Sequence, residues 1–492
     1  MRRVLPAFLL LAALTGAQAP DAAEKARRAR ELAVAGKTEE AIALYEDLVK
    51  SAPQDAGLRM NLSIAQFKAG RYREAITHAE AAFRLQPALV TANLFLGASH
   101  LELGDPANAV GPLERFVQAQ PKDRNARLLL ARAKLTLERY DDAVTHYQAA
   151  ADLMPENPAV WYGLGQAFEA LSASAFSDLE LSAPDSAYFH ALLGDALLAG
   201  RRYGAAADHY RQALAQQPSL QGLHAGLAAV YRETGRADPA ASEDDAEKKL
   251  PAPDCASRNS ACDFMAGRYR EVIAAARTAT GPQALYWTSK ACRQLAKEAY
   301  ERLGRLPASP ERHILAAKGF EKRSLYPDAV REWREANRLS PADPVIQTGL
   351  AVALFHARDH AGALPLLERL IERQPSSAEL RFLYGACLAN LEQPEKAVPY
   401  LEEALKNKPD FLPARAALGQ TYLRLGKAAE SIPHLQASLP GDEDGSRHFQ
   451  LVRAYQLAGQ PDLARQALAA YEAFRKSLET RKIKEEGLDI YK

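Results

Sequence analysis

Three series of residues recur along this chain with a single period of 34. Pro53, Pro87, Pro121 and Pro155 are each 34 residues apart, as are Ala41, Ala75, Ala109 and Ala143, and Gly36, Gly70 and Gly104. One phase holds them all, and in it Leu62, Leu96 and Leu130 are each followed by a small residue, Ser63, Gly97 and Ala131. At 492 residues the chain exceeds what one hydrophobic core usually holds, so it is either several domains or an array. A fixed period selects the array.

Each recurring residue type has a physical reason. The series resemble those of a family whose unit is a pair of antiparallel helices, A and B, which implies that the small residue at position 8 of helix A and the alanine at position 20 of helix B let the two helices approach closely. Glycine near position 15 supplies the turn, and proline near position 32 ends helix B because it cannot continue the backbone hydrogen bonding. Tyr45 and Tyr147 share position 24 and fill the gap to the next unit. These positions resemble the tetratricopeptide-repeat (TPR) family. The resemblance implies an all-α solenoid, a right-handed superhelix of antiparallel helix pairs, with about 14 pairs once degenerate and shortened ones are included. It covers residues from about 22 to 480 and is specific for fold, much less so for ligand.

Complete units begin near residues 22, 56, 90 and 124, and a fifth opens with Trp161, Leu164, Gly165 and Phe168. From Pro155 to Pro184 is only 29 residues, so the fifth unit is expected to have a reduced turn and a brief helix B, AFSDLEL. Regular spacing resumes at Gly194, Tyr203, Ala206, Tyr210, Ala213 and Pro218, and the next helix B, ASEDDAEKKL, has lost nearly all apolar residues. Residues 283–309 mirror the shortened unit at an offset of 124, Leu171, Ala175, Phe176 and Leu179 matching Leu295, Ala299, Tyr300 and Leu303. Strict period returns with Pro341, Pro375 and Pro409. The expected organisation is a leader at 1–19, an N-terminal block at 20–240, a degenerate joint at 241–263, a C-terminal block with a capping helix at 264–480, and a charged tail at 481–492.

Residues 1–19, MRRVLPAFLLLAALTGAQA, have the layout of a secretory signal: two arginines, an apolar run from Val4 to Leu14, then small residues. That run is too short to span a bilayer, and no later segment is apolar enough to do so. Cleavage fits after Ala19 or after Ala17, and the mature chain is expected in the periplasm or secreted from a bacterial cell. Lys plus Arg number 62 against 61 for Asp plus Glu, so no net field attracts nucleic acid. Of four cysteines, Cys255 and Cys262 lie in a polar stretch and are a candidate disulfide, the alternative being two exposed thiols. Cys292 and Cys387 sit in helical patterns as small core residues.

No catalytic, cofactor or metal motif survives inspection. Gly163-Leu164-Gly165 opens a dinucleotide-type loop, but Phe168 stands where the last glycine belongs and no strand precedes it. Gly426-Lys427 is followed by Ala428, which removes the hydroxyl a phosphate loop needs. Most of the 11 histidines fall at two repeat positions, His190, His224, His313 and His448 at the fourth, and His78, His146, His209 and His434 at the twenty-third, a periodicity of packing and not of ligation.

The TPR resemblance therefore implies a scaffold that holds a protein or peptide segment in a groove lined by helices A. Its alternatives are an envelope assembly or secretion factor of pilus, polysaccharide or outer-membrane type and, in another class, an enzyme subunit with unrecognised catalytic residues. The family clamp for an acidic C-terminus needs Lys, Asn and Arg at defined helix-A positions. Here only Arg27, Arg30 and Asn61 fit, and the other positions carry Ala23, Ala26, Gly57, Met60, Ile64, Thr91, Leu94, Phe95 and Ala98. The expected partner-binding set is Met60, Asn61, Ile64, Leu94, Leu128 and Arg132, a more apolar than charged groove suited to an apolar segment.

Overall fold

The computed structural model describes residues 19–252, 255, 259–276, 279 and 281–486; the leader, save its last residue, and residues 487–492 of the tail lie outside them. Among the described residues there are 26 α-helices and no strand. The first nine are α1 (Ala19–Val34), α2 (Thr38–Ser51), α3 (Ala56–Ala69), α4 (Tyr72–Leu85), α5 (Thr91–Glu102), α6 (Pro106–Ala119), α7 (Arg124–Thr136), α8 (Tyr140–Leu153) and α9 (Pro158–Ser182). Four more follow, α10 (Ala187–Ala199), α11 (Tyr203–Gln216), α12 (Leu223–Glu233) and α13 (Ala237–Lys249), then α14 (Ser260–Met265), α15 (Tyr269–Ala276) and α16 (Pro282–Arg305). The remainder are α17 (Pro310–Lys322), α18 (Tyr326–Leu339), α19 (Pro344–His356), α20 (His360–Arg373), α21 (Ala378–Asn390), α22 (Pro394–Asn407), α23 (Leu412–Arg424), α24 (Ala428–Ser438), α25 (Ser446–Leu457) and α26 (Pro461–Glu486).

The turn at position 15 is left-handed in the regular units. Gly36, Gly70 and Gly104 take φ of 79°, 83° and 75°, as the glycine series demands. Where glycine is missing, Glu138, Arg201, Ser324, Arg358 and Glu392 are forced to φ between 56° and 64°. Each such side chain costs about 1 kcal/mol, so the packing on either side dictates the turn. Position 4 of helix A adds a latch to the preceding unit: Arg59, Arg127, Trp161, Gln347 and Arg415 each donate to the carbonyl of the proline six residues back, at 2.6–2.9 Å.

Position 24 is the knob of each unit. A Cβ on Gly97 would fall 2.5 Å from Leu113 Cγ, and one on Gly419 2.7 Å from Leu435 Cγ, so small residues at position 8 are required by the knob of the same unit. Aromatic knobs also reach the next helix A: Cβ atoms on Gly163, Gly226 and Gly349 would lie 2.3, 2.5 and 2.4 Å from the rings of Tyr147, Tyr210 and Trp333.

The fifth unit departs from expectation. Residues 158–182 form one unbroken helix, α9, with no turn and no separate helix B, because nothing from Leu171 to Ser182 is a proline or glycine that would break it. Its own position 24, Leu181, is 81% exposed. The knob on Gly165 comes instead from Tyr300 of α16, whose ring would be 2.3 Å from a Cβ there. Helices α9 and α16 run antiparallel, joined by Ser172 Oγ and Ser289 Oγ at 2.9 Å, by Tyr300 donating to Glu169 at 2.7 Å, and by Arg302 to Glu156 at 2.7 Å. Thus α16 is the missing helix B, supplied from over 100 residues downstream. The likeness of residues 283–309 to the fifth unit marks a pair of partner helices, and these two unbroken helices account for the two fewer than 14 pairs would need.

This pairing redraws the organisation. One compact unit holds α1–α9 with α14–α16, and a second holds α10–α13 with α17–α26, so the compact units are not the linear blocks 20–240 and 264–480. In the first unit an apolar cluster of α1–α3 (Ala29, Tyr45, Leu58, Leu62) is followed by a larger one through α3–α7 (Met60, Leu94, Leu113, Phe116, Leu130).

Cys255 and Cys262 are joined by a disulfide that ties the segment before α14 to that helix, whose cap is the Asn259 side chain accepting from the Cys262 amide at 2.9 Å. Cys292 and Cys387 are buried thiols, each pushed up to about 12 by burial. Thiol labelling of the denatured, unreduced protein is expected to modify two cysteines, rising to four after reduction; four before reduction would exclude the bond.

Candidate partner-binding face

Helix A in a TPR unit packs on its own helix B and on the units before and after, which leaves one face for a ligand. In the first unit of this protein the expected residues split into two groups. Met60, Asn61, Ile64 and Leu94 are at most 2% exposed, and Met60, Ile64 and Leu94 belong to one cluster with Phe95, Leu101, Phe116 and Val117. Positions 5 and 9 of α3 thus point into the unit that follows and form the floor of the face, not its contact surface. Leu128 and Arg132 of α7 are half-buried, and Arg132 lies 3.7 Å from the Glu102 carboxylate. Helical phase alone does not separate floor from surface, because a shift of one residue turns a side chain by 100°.

With Ile64 1% exposed, Ile64→Asp is expected to unfold the first unit, by about 3 kcal/mol or more, before it can report on binding. Thermal melting within a degree or two of wild type would return Ile64 to the contact surface.

An accessible apolar stripe lies elsewhere, in the second unit. Val345, Thr348, Val352 and Phe355 occupy positions 2, 5, 9 and 12 of α19, one helical face, and Val345 is 66% exposed while the other three are half-buried. The opposite side of α19 buries Ile346, Leu350, Ala353 and Leu354, so this helix is apolar all round although one side is open. The stripe continues across units as an edge-to-face ladder, Phe355 to Phe382 at 6.2 Å and Phe382 to Phe411 at 5.2 Å between ring centroids. Lys408 Nζ stands 5.1 Å over the Phe411 ring. Alongside, Tyr384 packs on Tyr400 at 4.6 Å, and burial raises the Tyr384 hydroxyl above its ordinary value. The sequence signal for this stripe is present in PVIQTGLAVALFH, apolar at both the packing positions and positions 2, 9 and 12.

The histidines make rungs inside units. His224 Nδ1 lies 2.6 Å from Glu243, His313 Nδ1 2.7 Å from Glu332, and His190 and His209 face each other at 3.1 Å, each time position 4 against position 23. Among the described residues no three His, Cys, Asp or Glu side chains are placed to hold a metal ion, and no helix is long and apolar enough to cross a membrane.

Tetratricopeptide-repeat models match residues 26–88, 131–172, 170–221, 314–378, 357–410 and 388–451, together more than half of the chain, and a model for anaphase-promoting complex, cyclosome, subunit 3 matches 68–150. Anaphase-promoting complex subunit 7 of Arabidopsis thaliana is 30% identical over 130 residues, 26% of this chain and 23% of that protein. Hsp70-Hsp90 organizing protein of Triticum aestivum is 35% identical over 100 residues, 20% of this chain and 17% of that one. The match thus spans less than a quarter of either relative. Among solved structures, MamA from Desulfovibrio magneticus is 26% identical with a TM-score of 0.30, over 31% of this chain and 85% of that one. A tetratricopeptide repeat protein from Parabacteroides merdae is 12% identical with a TM-score of 0.34, over 68% and 98%.

Proposed function

Because this chain belongs to the tetratricopeptide-repeat family, whose proteins mediate protein–protein interaction, we propose that it is an extracytoplasmic scaffold that grips an apolar segment of a partner protein along its helices A. The observation that carries the reading is the open stripe Val345, Thr348, Val352 and Phe355 with Phe382 beside it, apolar side chains in reach of solvent on a helix whose other side is already packed. Such a surface suits the apolar face of a helix or the alternate residues of an extended strand, with Lys408 at the rim. In the first unit Leu128, packed against Ala150 and Val160, and Arg132 offer a smaller surface.

The extracytoplasmic part of the reading rests on the tripartite pattern of residues 1–19. N-terminal sequencing of the native protein is expected to begin at Gln18 or Pro20; intact Met1 in a cytoplasmic fraction would defeat it.

Affinity capture of the full chain from its own envelope tests the binding. Val345→Glu, at an exposed position, and Val352→Glu, at a half-buried one, are expected to reduce recovery of a captured partner by about tenfold, equivalent to about 1.4 kcal/mol, with helical content unchanged and the melting of Val345→Glu at that of wild type. Equal recovery with wild type and both variants would remove the stripe from the binding face.

A further inference from the structure

Helix α13 buries far less apolar surface against its unit than α8 or α18 does. Its single buried residue is Ala240, whereas α8 buries Ala143, Val144, Tyr147, Ala150 and Ala151, and α18 buries Ala329, Val330, Trp333 and Ala336. The cause is in the sequence: position 24 is Asp244, where other units carry the aromatic knobs Tyr147, Tyr210 and Trp333, and position 27 is Glu247, where they carry Ala150, Ala213 and Ala336. Without knob or alanine, apolar burial supplies little of the attachment.

Charge supplies the rest. Glu243 Oε2 lies 2.6 Å from His224 Nδ1, and Arg232 donates to Asp244 Oδ2 at 2.7 Å. Glu247 accepts from the amides of Gly222 at 2.6 Å and Ala225 at 3.1 Å, so this carboxylate of α13 caps the N-terminus of α12, where the helix dipole favours it. Asp245 is bound to Lys248 within α13 itself at 3.1 Å. Arg232 and Asp244 are 53% and 38% exposed, so their attraction is open to screening by salt, which leaves the apolar contacts of other helices B intact.

We propose that α13 is a salt-released strap: folded on α12 at low ionic strength, it detaches at high ionic strength while the regular units stay folded. Its 13 residues span about 20 Å as helix and about 43 Å when extended, so release more than doubles the reach of the chain leading to the Cys255–Cys262 loop and α14. The strap is a place where the ionic environment, or a polycation competing for Glu243, Asp244 and Glu247, controls slack in the chain.

Hydrogen exchange of the full chain, followed by mass spectrometry in 50 mM and then 500 mM sodium chloride, tests it. Amides of α13 are expected to lose about tenfold in protection between the two conditions while those of α8 and α18 change by less than about twofold. Glu247→Gln is expected to loosen α13 already at 50 mM salt. Asp244→Leu, which restores an apolar knob, is expected to raise its protection and abolish the salt response. Protection in α13 equal to that of α8 and α18 at both salt levels would overturn the proposal, as would a parallel fall in all three or an unchanged salt response in Asp244→Leu.

Discussion

Gly165→Val is expected to destabilise the first unit by about 2–3 kcal/mol, and Tyr300→Ala in the same chain to recover at least about 1 kcal/mol of that loss. A Cβ at residue 165 would stand 2.3 Å from the Tyr300 ring, which its hydrogen bond to Glu169 and the burial around it keep from turning aside. The same burial, with the bond to Glu169, raises the Tyr300 hydroxyl far above its ordinary value, so it stays a donor at any ordinary pH. The measurement is a double-mutant cycle by urea unfolding of wild type, the two single variants and the double variant. Coupling appears only if α16 packs on α9, because residues 165 and 300 belong to units far apart in the chain. Strictly additive costs would mean that the two helices do not meet and that the fifth unit lacks a helix B altogether.

Lys134→Ala is expected to cost about 3 kcal/mol and Lys134→Met less than about 1 kcal/mol. The Lys134 side chain is 2% exposed, its ammonium 2.5 Å from Glu114 and 3.3 Å from Asp142, and it thereby joins α6, α7 and α8. Alanine removes both the charge and the four-carbon stem and leaves a void. Methionine keeps the volume, while Glu114 and Asp142, 41% and 44% exposed, can turn to water once the ammonium is gone. Burial pushes the Asp142 carboxyl up, but Lys134 and Arg139 outweigh it and hold it below its ordinary value. A depressed carboxyl adds stability that is present above its unfolded pKa and lost as pH falls through the folded one, so the difference between wild type and Lys134→Met is expected to shrink in acid. Equal losses for alanine and methionine would show that charge, not volume, carries the contribution of this lysine.

Acid also bears on the position-23 histidines. Burial lowers His78, His146 and His434, with Arg59, Arg127 and Arg415 respectively adding to the effect, so each favours the neutral ring in the folded chain. A depressed histidine costs stability as pH falls below its unfolded pKa, because the unfolded chain takes up the proton first. This adds to the carboxylate contribution in the same direction.

The 34-residue pattern by itself determined the class of fold and the pairing of helices within the regular units, because every residue involved lies within one unit and acts through local backbone geometry or contact with its immediate neighbour. Gly97 against Leu113 and the prolines latched by position 4 are of this kind, whereas packing dictates the left-handed turn where Glu138, Arg201, Ser324, Arg358 or Glu392 replaces glycine. Histidines at positions 4 and 23 were legible as two series, and in one unit the structure joins them as the two ends of a rung, His190 with His209. Tertiary structure alone decided which helix completes the fifth unit, because Ser172 and Ser289 meet across 117 residues and no periodicity records such a pairing. It also decided which apolar side chains of a helix A are floor and which are surface. Met60 and Val345 are both apolar and both fall at helix-A positions expected to line the groove, yet one is fully buried and the other 66% exposed, since exposure depends on what the neighbouring units place over each side chain.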